Sequence, residues 1–258
     1  MRLLTAALLL LQDGATPPWS ERPELRAGLD TLYGGGFPSA AAYFAALGAK
    51  DTSDPAPPVF EASAYIWWAA ALEDEDYEAR RIDALLDRAV KRAAAGPRGP
   101  VRDFWLAAAL GYRARERDIR GSSWGAAKDG KAMRDAYARV LAADSACEDC
   151  YLGLGVYQYG LGRASALARL VAKLVGLGSG DAARGIGYLR RAARGGDLSK
   201  VEATWVLAAA LMRDAARDPG ARAALEREAR GYVARLGDRY PGNPVFQRFL
   251  RELPESPP

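Results

Sequence analysis

Apolar residues recur at helical spacing along nearly the whole chain, and no stretch offers a sustained period-two alternation of β-branched residues. In 76–95 the stripe is Ile82, Leu85, Leu86, Ala89, Val90 and Ala93, and in 123–143 it is Met133, Tyr137, Val140 and Leu141. Both follow the i, i+3, i+4, i+7 rule of a helix with one buried face. Glycine and proline clusters fall between the stripes: Gly34-Gly35-Gly36-Phe37-Pro38, 51–58, Gly96-Pro97-Arg98-Gly99-Pro100, 176–180, Gly195-Gly196-Asp197, Asp218-Pro219-Gly220 and Tyr240-Pro241-Gly242-Asn243-Pro244. They predict helices near 22–33, 38–48, 59–73, 76–95, 101–118, 123–143, 148–160, 163–176, 181–195, 198–216, 220–238 and 245–252.

A tight small-residue spot marks the first helix of each successive pair: Ala27-Gly28, Trp68-Ala69, Leu110-Gly111, Leu154-Gly155 and Leu207-Ala208. The marks are 41, 42, 44 and then 53 residues apart, a repeat period broken once by an extra helix. Alanine supplies much of the remaining surface, which favours helix and lets neighbours approach closely. The expected fold is therefore all-α, a superhelix of antiparallel helix pairs with about twelve helices. Its domains are a segment 1–15, an N-terminal pair and linker over 16–57, a repeat domain over 58–253, and a frayed tail at 254–258.

The junction from Ala143 to Gly155 resembles the link between successive tetratricopeptide repeats, and Tyr240-Pro241-Gly242-Asn243-Pro244-Val245-Phe246 resembles a second such link. Tyr151, Leu154 and Gly155 match the large, Leu and Gly positions of that family's first helix, and Pro241 matches its closing Pro. Gln158 stands where the family prefers Tyr, and the period is longer than the family's. The run from Tyr151 to Gly162 with the apolar helix after it is similar to the tetratricopeptide repeat protein 39 branch and its bacterial relatives. The resemblance implies a right-handed α-solenoid of the tetratricopeptide type whose concave face takes an extended peptide or another protein. It implies no catalytic residue and no cofactor.

Composition narrows the chemistry. There is no histidine, which removes the side chain most used for proton transfer near neutral pH and the commonest imidazole metal ligand. Cys147-Glu148-Asp149-Cys150 is a CxxC, yet residue 151 is Tyr where a haem attachment motif needs His, and two cysteines without histidine are too few for zinc. A local disulfide at an inter-repeat turn, two inert thiols, or a redox pair are the readings left. The acidic run Glu73-Asp74-Glu75-Asp76 lacks the alternate ligands and central Gly of a calcium loop and reads as a solvated turn favoured by the following helix dipole. Gly176-Leu177-Gly178-Ser179-Gly180-Asp181 lacks the Lys-Ser/Thr of a phosphate loop and reads as a connector. No metal site is expected.

Charge is uneven. The chain carries +4 overall, while 163–200 holds eight basic residues against Asp181 and Asp197. In 163–176, Leu167, Leu170, Val171, Leu174 and Val175 form one stripe with Arg163, Arg169 and Lys173 off it. Such a helix serves either as array core or as a face for an anionic membrane. Aromatic residues interleaved with the cations are missing, so nucleic acid is not an expected partner. Met1-Arg2, the apolar run from Leu3 to Leu11 and Ala15 read as a short secretory signal, predicting a periplasmic or secreted protein.

The functional expectation is a protein–protein interaction scaffold in an exported or cell-envelope assembly, not an enzyme. Its partner is a protein or peptide. Tyr112, Tyr157, Tyr159 and Arg163 are the concave-face candidates, with one of Tyr157 and Tyr159 exposed because the two lie two residues apart. Arg190, Arg191 and Arg194 are the basic patch. The alternatives are a peripheral membrane protein using the 163–176 helix and a carboxylate enzyme acting on the cell wall. The latter needs a partly buried Glu facing a second carboxyl or a cleft, and no local motif marks one.

Overall fold

A computed structural model of the chain describes residues 19, 21–174 and 176–253. The segment 1–15 read as a secretory signal, Val175 and the tail 254–258 lie outside the described residues, as do the side chains of Leu167, Val171 and Leu174. The described residues form twelve helices and no strand: α1 (Pro23–Tyr33), α2 (Phe37–Lys50), α3 (Ala56–Leu72), α4 (Ala79–Ala95), α5 (Pro100–Ile119), α6 (Ser123–Ala143), α7 (Cys150–Arg163), α8 (Ala166–Leu174), α9 (Ala182–Gly195), α10 (Lys200–Ala215), α11 (Arg222–Arg239) and α12 (Pro244–Glu252). Every predicted helix is present, with ends shifted by at most three residues.

Local chemistry sets the ends. Proline occupies the first turn of α1, α2, α3, α5 and α12, where its missing N–H has no helical partner to lose. In α4 one face is buried, through Ile82, Leu85, Leu86, Ala89 and Ala93. By contrast α3 is buried almost all round from Ala56 to Trp67, because it touches α1, α2, α4, α5 and α12.

Each helix packs chiefly on its neighbours in sequence, with one exception: α7 lies along α9, and α8 makes its main contact among the described residues with α7. A Cβ added at Gly155 of α7 would lie 3.0 Å from the backbone N of Leu189, and one at Gly185 of α9 would lie 2.5 Å from the backbone N of Tyr159. Glycine on both partners is what lets the two backbones touch. The excursion through α8 returns to where it left, since the backbone N–H of Asp181 donates to the carbonyl of Gln158 at 3.1 Å. The extra helix inferred from the 53-residue interval is thus α8, inserted between two helices that pair without it.

The two ends of the array meet. Tyr240 Oη donates to Asp30 at 2.9 Å, and Asn243 Nδ2 donates to the carbonyl of Tyr33 at 2.9 Å. Arg26 of α1 pairs with Asp197 before α10. From α12, Arg248 Nη2 donates to the carbonyl of Ala70 at 2.6 Å at the end of α3, and Phe246 packs on Trp67 and Trp205 with ring centroids 5.5 and 5.7 Å apart. No helix among the described residues is long and apolar enough to cross a membrane.

Candidate functional site: an aromatic cavity enclosed by the first helices

Helices α3, α5, α7 and α10, the first members of their pairs, turn one face each toward a shared interior. Filling that interior from one end, Trp19 is 2% exposed and stacks on Phe104 with centroids 4.8 Å apart. Tyr33 of α1 is buried against Trp67. What is left is a cavity of about 350 Å³, within the size range of small-molecule sites. Its walls are Phe60, Trp67, Phe104, Trp105, Tyr112, Tyr137 and Trp205, with Met133, Leu152 and Val206 between them. Exposure rises from the floor, where Val59 and Phe104 are buried, to a rim at Arg115 and Val156, which are exposed.

Three polar side chains meet in the middle of this wall. Tyr112 Oη donates to Glu202 Oε2 and also lies 3.4 Å from Ser63 Oγ, which is fully buried. Glu202 is enclosed by protein but keeps part of its surface open to the cavity, and no donor among the described residues reaches its Oε1. Burial pushes the Glu202 carboxyl above the usual carboxylate range, against the opposing influence of the Tyr112 hydroxyl and the Arg115 guanidinium. Tyr112 is raised well above the ordinary phenol value, by burial first and by the charge of Glu202 next. At the rim, Arg115 bonds to Glu116, which also accepts from Arg120 at 3.1 Å.

Asp149 lines the floor in a different way. Its Oδ1 accepts from the backbone N–H groups of Asp197, Leu198 and Ser199 at 2.8, 3.1 and 2.9 Å and from Ser199 Oγ at 2.7 Å, closing the start of α10. Burial raises its pKa although these bonds favour the charged form. Its neighbour Glu148 pairs with Arg191, and Cys147 and Cys150 on either side are joined by a disulfide. The CxxC turn therefore fastens the start of α7 to α9 and α10 at once.

Of the predicted site residues, Tyr112 alone lines the cavity. Tyr157 is half-buried and donates to the carbonyl of Leu177 at 2.5 Å, tying the end of the α8 excursion to α7. Tyr159 is buried, its hydroxyl within 2.8 Å of the Asp214 carboxylate, to which it donates, and 3.0 Å of the Ala210 carbonyl, and burial with that carboxylate pushes its pKa up to about 12. Neither tyrosine is exposed. Arg163 bonds to the same Asp214 at 2.6 Å. Arg190 pairs with Glu228 and Arg191 with Glu148, while Arg194 is exposed. Three of the eight basic residues of 163–200, Arg163, Arg190 and Arg191, are thus matched by carboxylates from outside the segment, an outcome that charge counting within one segment misses. In α8, Leu170 is 56% exposed.

Glu202 has a sequence signal. It lies three and four residues before Trp205 and Val206, so a carboxylate sits on the inward stripe of α10. Ser63 and Arg115 carry no such signal. No protein-family model matches the chain, and no curated protein matches it significantly.

Proposed function

We propose that this chain is a non-catalytic binding protein on a tetratricopeptide-like, right-handed superhelix, and that its inner face receives a compact, largely apolar ligand in place of an extended peptide. The observation that carries the reading is the aromatic cavity between α3, α5, α7 and α10. Two of its wall residues are backed by further aromatics, Phe104 by Trp19 and Trp67 by Phe246 of α12. A buried Glu in a cavity is also what a carboxylate enzyme needs. Asp149, the other carboxyl on the cavity wall, is committed to four bonds at the start of α10, which favours binding over hydrolysis. Titration with indole, read by calorimetry, tests the proposal: saturable one-to-one binding is expected, lost when Val156→Trp blocks the rim. Absence of saturable binding, or binding untouched by Val156→Trp, overturns it.

A second reading retains a protein partner in an exported assembly, now on the outer surface. It is favoured by Trp124, 70% exposed at the start of α6 beside the exposed Ile119 of α5. Crosslinking in the native envelope with Trp124→Ser tests it, the expected result being loss of one specific adduct.

A further inference from the structure

We propose that the cavity selects an organic cation, an aromatic or branched aliphatic ammonium whose charged end meets Glu202 while its apolar body lies against the tryptophans. The inference rests on the cavity being a ligand site and specifies the ligand's chemistry.

Three observations converge. First, Glu202 lines the cavity, and its carboxyl has one donor among the described residues, Tyr112 on Oε2. A carboxyl group in an enclosed cavity with an oxygen left unbonded can take a hydrogen bond or ion pair from a ligand. Second, the walls around it are the faces and edges of Trp67, Trp105, Trp205 and Tyr112, and aromatic faces attract cations most strongly where water is excluded. Third, the charges lining the enclosed part of the chamber are acidic, Glu202 and Asp149. The cation nearest the carboxyl, Arg115, stands at the rim with its guanidinium held by Glu116. An anionic ligand would meet a carboxyl and aromatic faces at its deepest point, with no basic side chain at that depth. A neutral ligand would gain the apolar contacts alone.

The groups facing Glu202 are Tyr112 and Arg115 of α5, Tyr33 of α1 and Tyr137 of α6. The three phenols are all raised by burial and stay neutral, so the carboxyl, itself raised above the usual carboxylate range, is the member of this set that ionises first as pH rises. Binding a fixed cation favours the ionised form and so expels a proton from Glu202. Affinity for that cation then rises with pH through the carboxyl's elevated range.

The test uses the full chain and three probes of similar size: benzyltrimethylammonium, its uncharged isostere neopentylbenzene, and 3-phenylpropionate. At pH 8 the cation is expected to bind at least about tenfold tighter than the neutral isostere, with the anion weakest. In a series of pH values upward from the ordinary carboxylate range, calorimetry in two buffers of different ionisation enthalpy is expected to show proton release. Glu202→Gln should bring cation and isostere within about threefold of each other and abolish that release. Tyr112→Phe removes a bond that favours the carboxylate, so it should move the pH midpoint of cation binding upward and keep the preference. Far-ultraviolet dichroism confirms that each variant is folded. Neopentylbenzene binding as tightly as the cation, or a preference that survives Glu202→Gln, overturns the inference and leaves the cavity as a ligand site. Failure of all three probes to bind overturns both.

Discussion

Two buried carboxyl groups, Glu202 and Asp149, are both displaced toward the neutral form, yet the structure treats them differently. Asp149 is surrounded by donors, so its removal strands three backbone N–H groups at the start of α10. Asp149→Ala is expected to cost about 2–4 kcal/mol in urea unfolding, from the lost cap and the orphaned donors. Glu202 has a single donor among the described residues, and burial holds its folded pKa above the ordinary carboxylate range. A raised folded pKa means that the native state holds its proton where the unfolded chain has lost it. Stability from this group is therefore full below the unfolded value and declines as pH rises toward the folded one. Glu202→Gln, neutral throughout, should melt higher than the parent at pH 8, with the gap closing toward pH 4; thermal scans across that window check it. The spacing of Glu202 from Trp205 and Val206 is the signal in α10 that the sequence reading passed over. The tyrosine that bonds it, and the serine beside that tyrosine, come from helices at least 90 residues away, where no local pattern connects them.

At the level of helices, the pairing of α7 with α9 turns on Gly155 and Gly185. Gly185→Ala puts a methyl 2.5 Å from the Tyr159 backbone and is expected to destabilise by about 1–3 kcal/mol, as overpacking does. Two residues on, Gly187 is exposed with nothing within 4 Å of an added Cβ. There the same change should stabilise by about 0.5–1 kcal/mol through helix propensity. Opposite signs for two substitutions in one helix, measured by denaturant unfolding, would identify the backbone contact as the cause. Helix existence was legible throughout, because periodic stripes and Gly/Pro breakers are local signals. The pairing across α8 was legible only as a lengthened interval, and the role of Arg190 and Arg191 was not. Their carboxylate partners Glu228 and Glu148 lie about forty residues away in opposite directions along the chain.

On the scale of the whole molecule, the end-to-end contacts join α1 to the turn before α12 across 210 residues. Asn243 carries two of these duties: it accepts from the Val245 N–H at 3.0 Å to begin α12, and it donates to Tyr33. Asn243→Ala is expected to cost about 2–4 kcal/mol. It should also separate the loss of tryptophan fluorescence around Trp67 and Trp205 from the loss of helix, whereas one coincident transition is expected of the parent. Nothing local in the sequence announced this closure, since Tyr240 and Asn243 read as part of an inter-helix turn with no sign of the residue 210 positions away that each one meets. An open array of repeats unfolds from its ends and tolerates the addition or loss of a unit, because each unit answers only to its neighbours. Joined ends change that arithmetic. Because α1 is bonded to the turn before α12, duplicating one helix pair in mid-chain is expected to break those bonds and lay open Trp67 and Trp205.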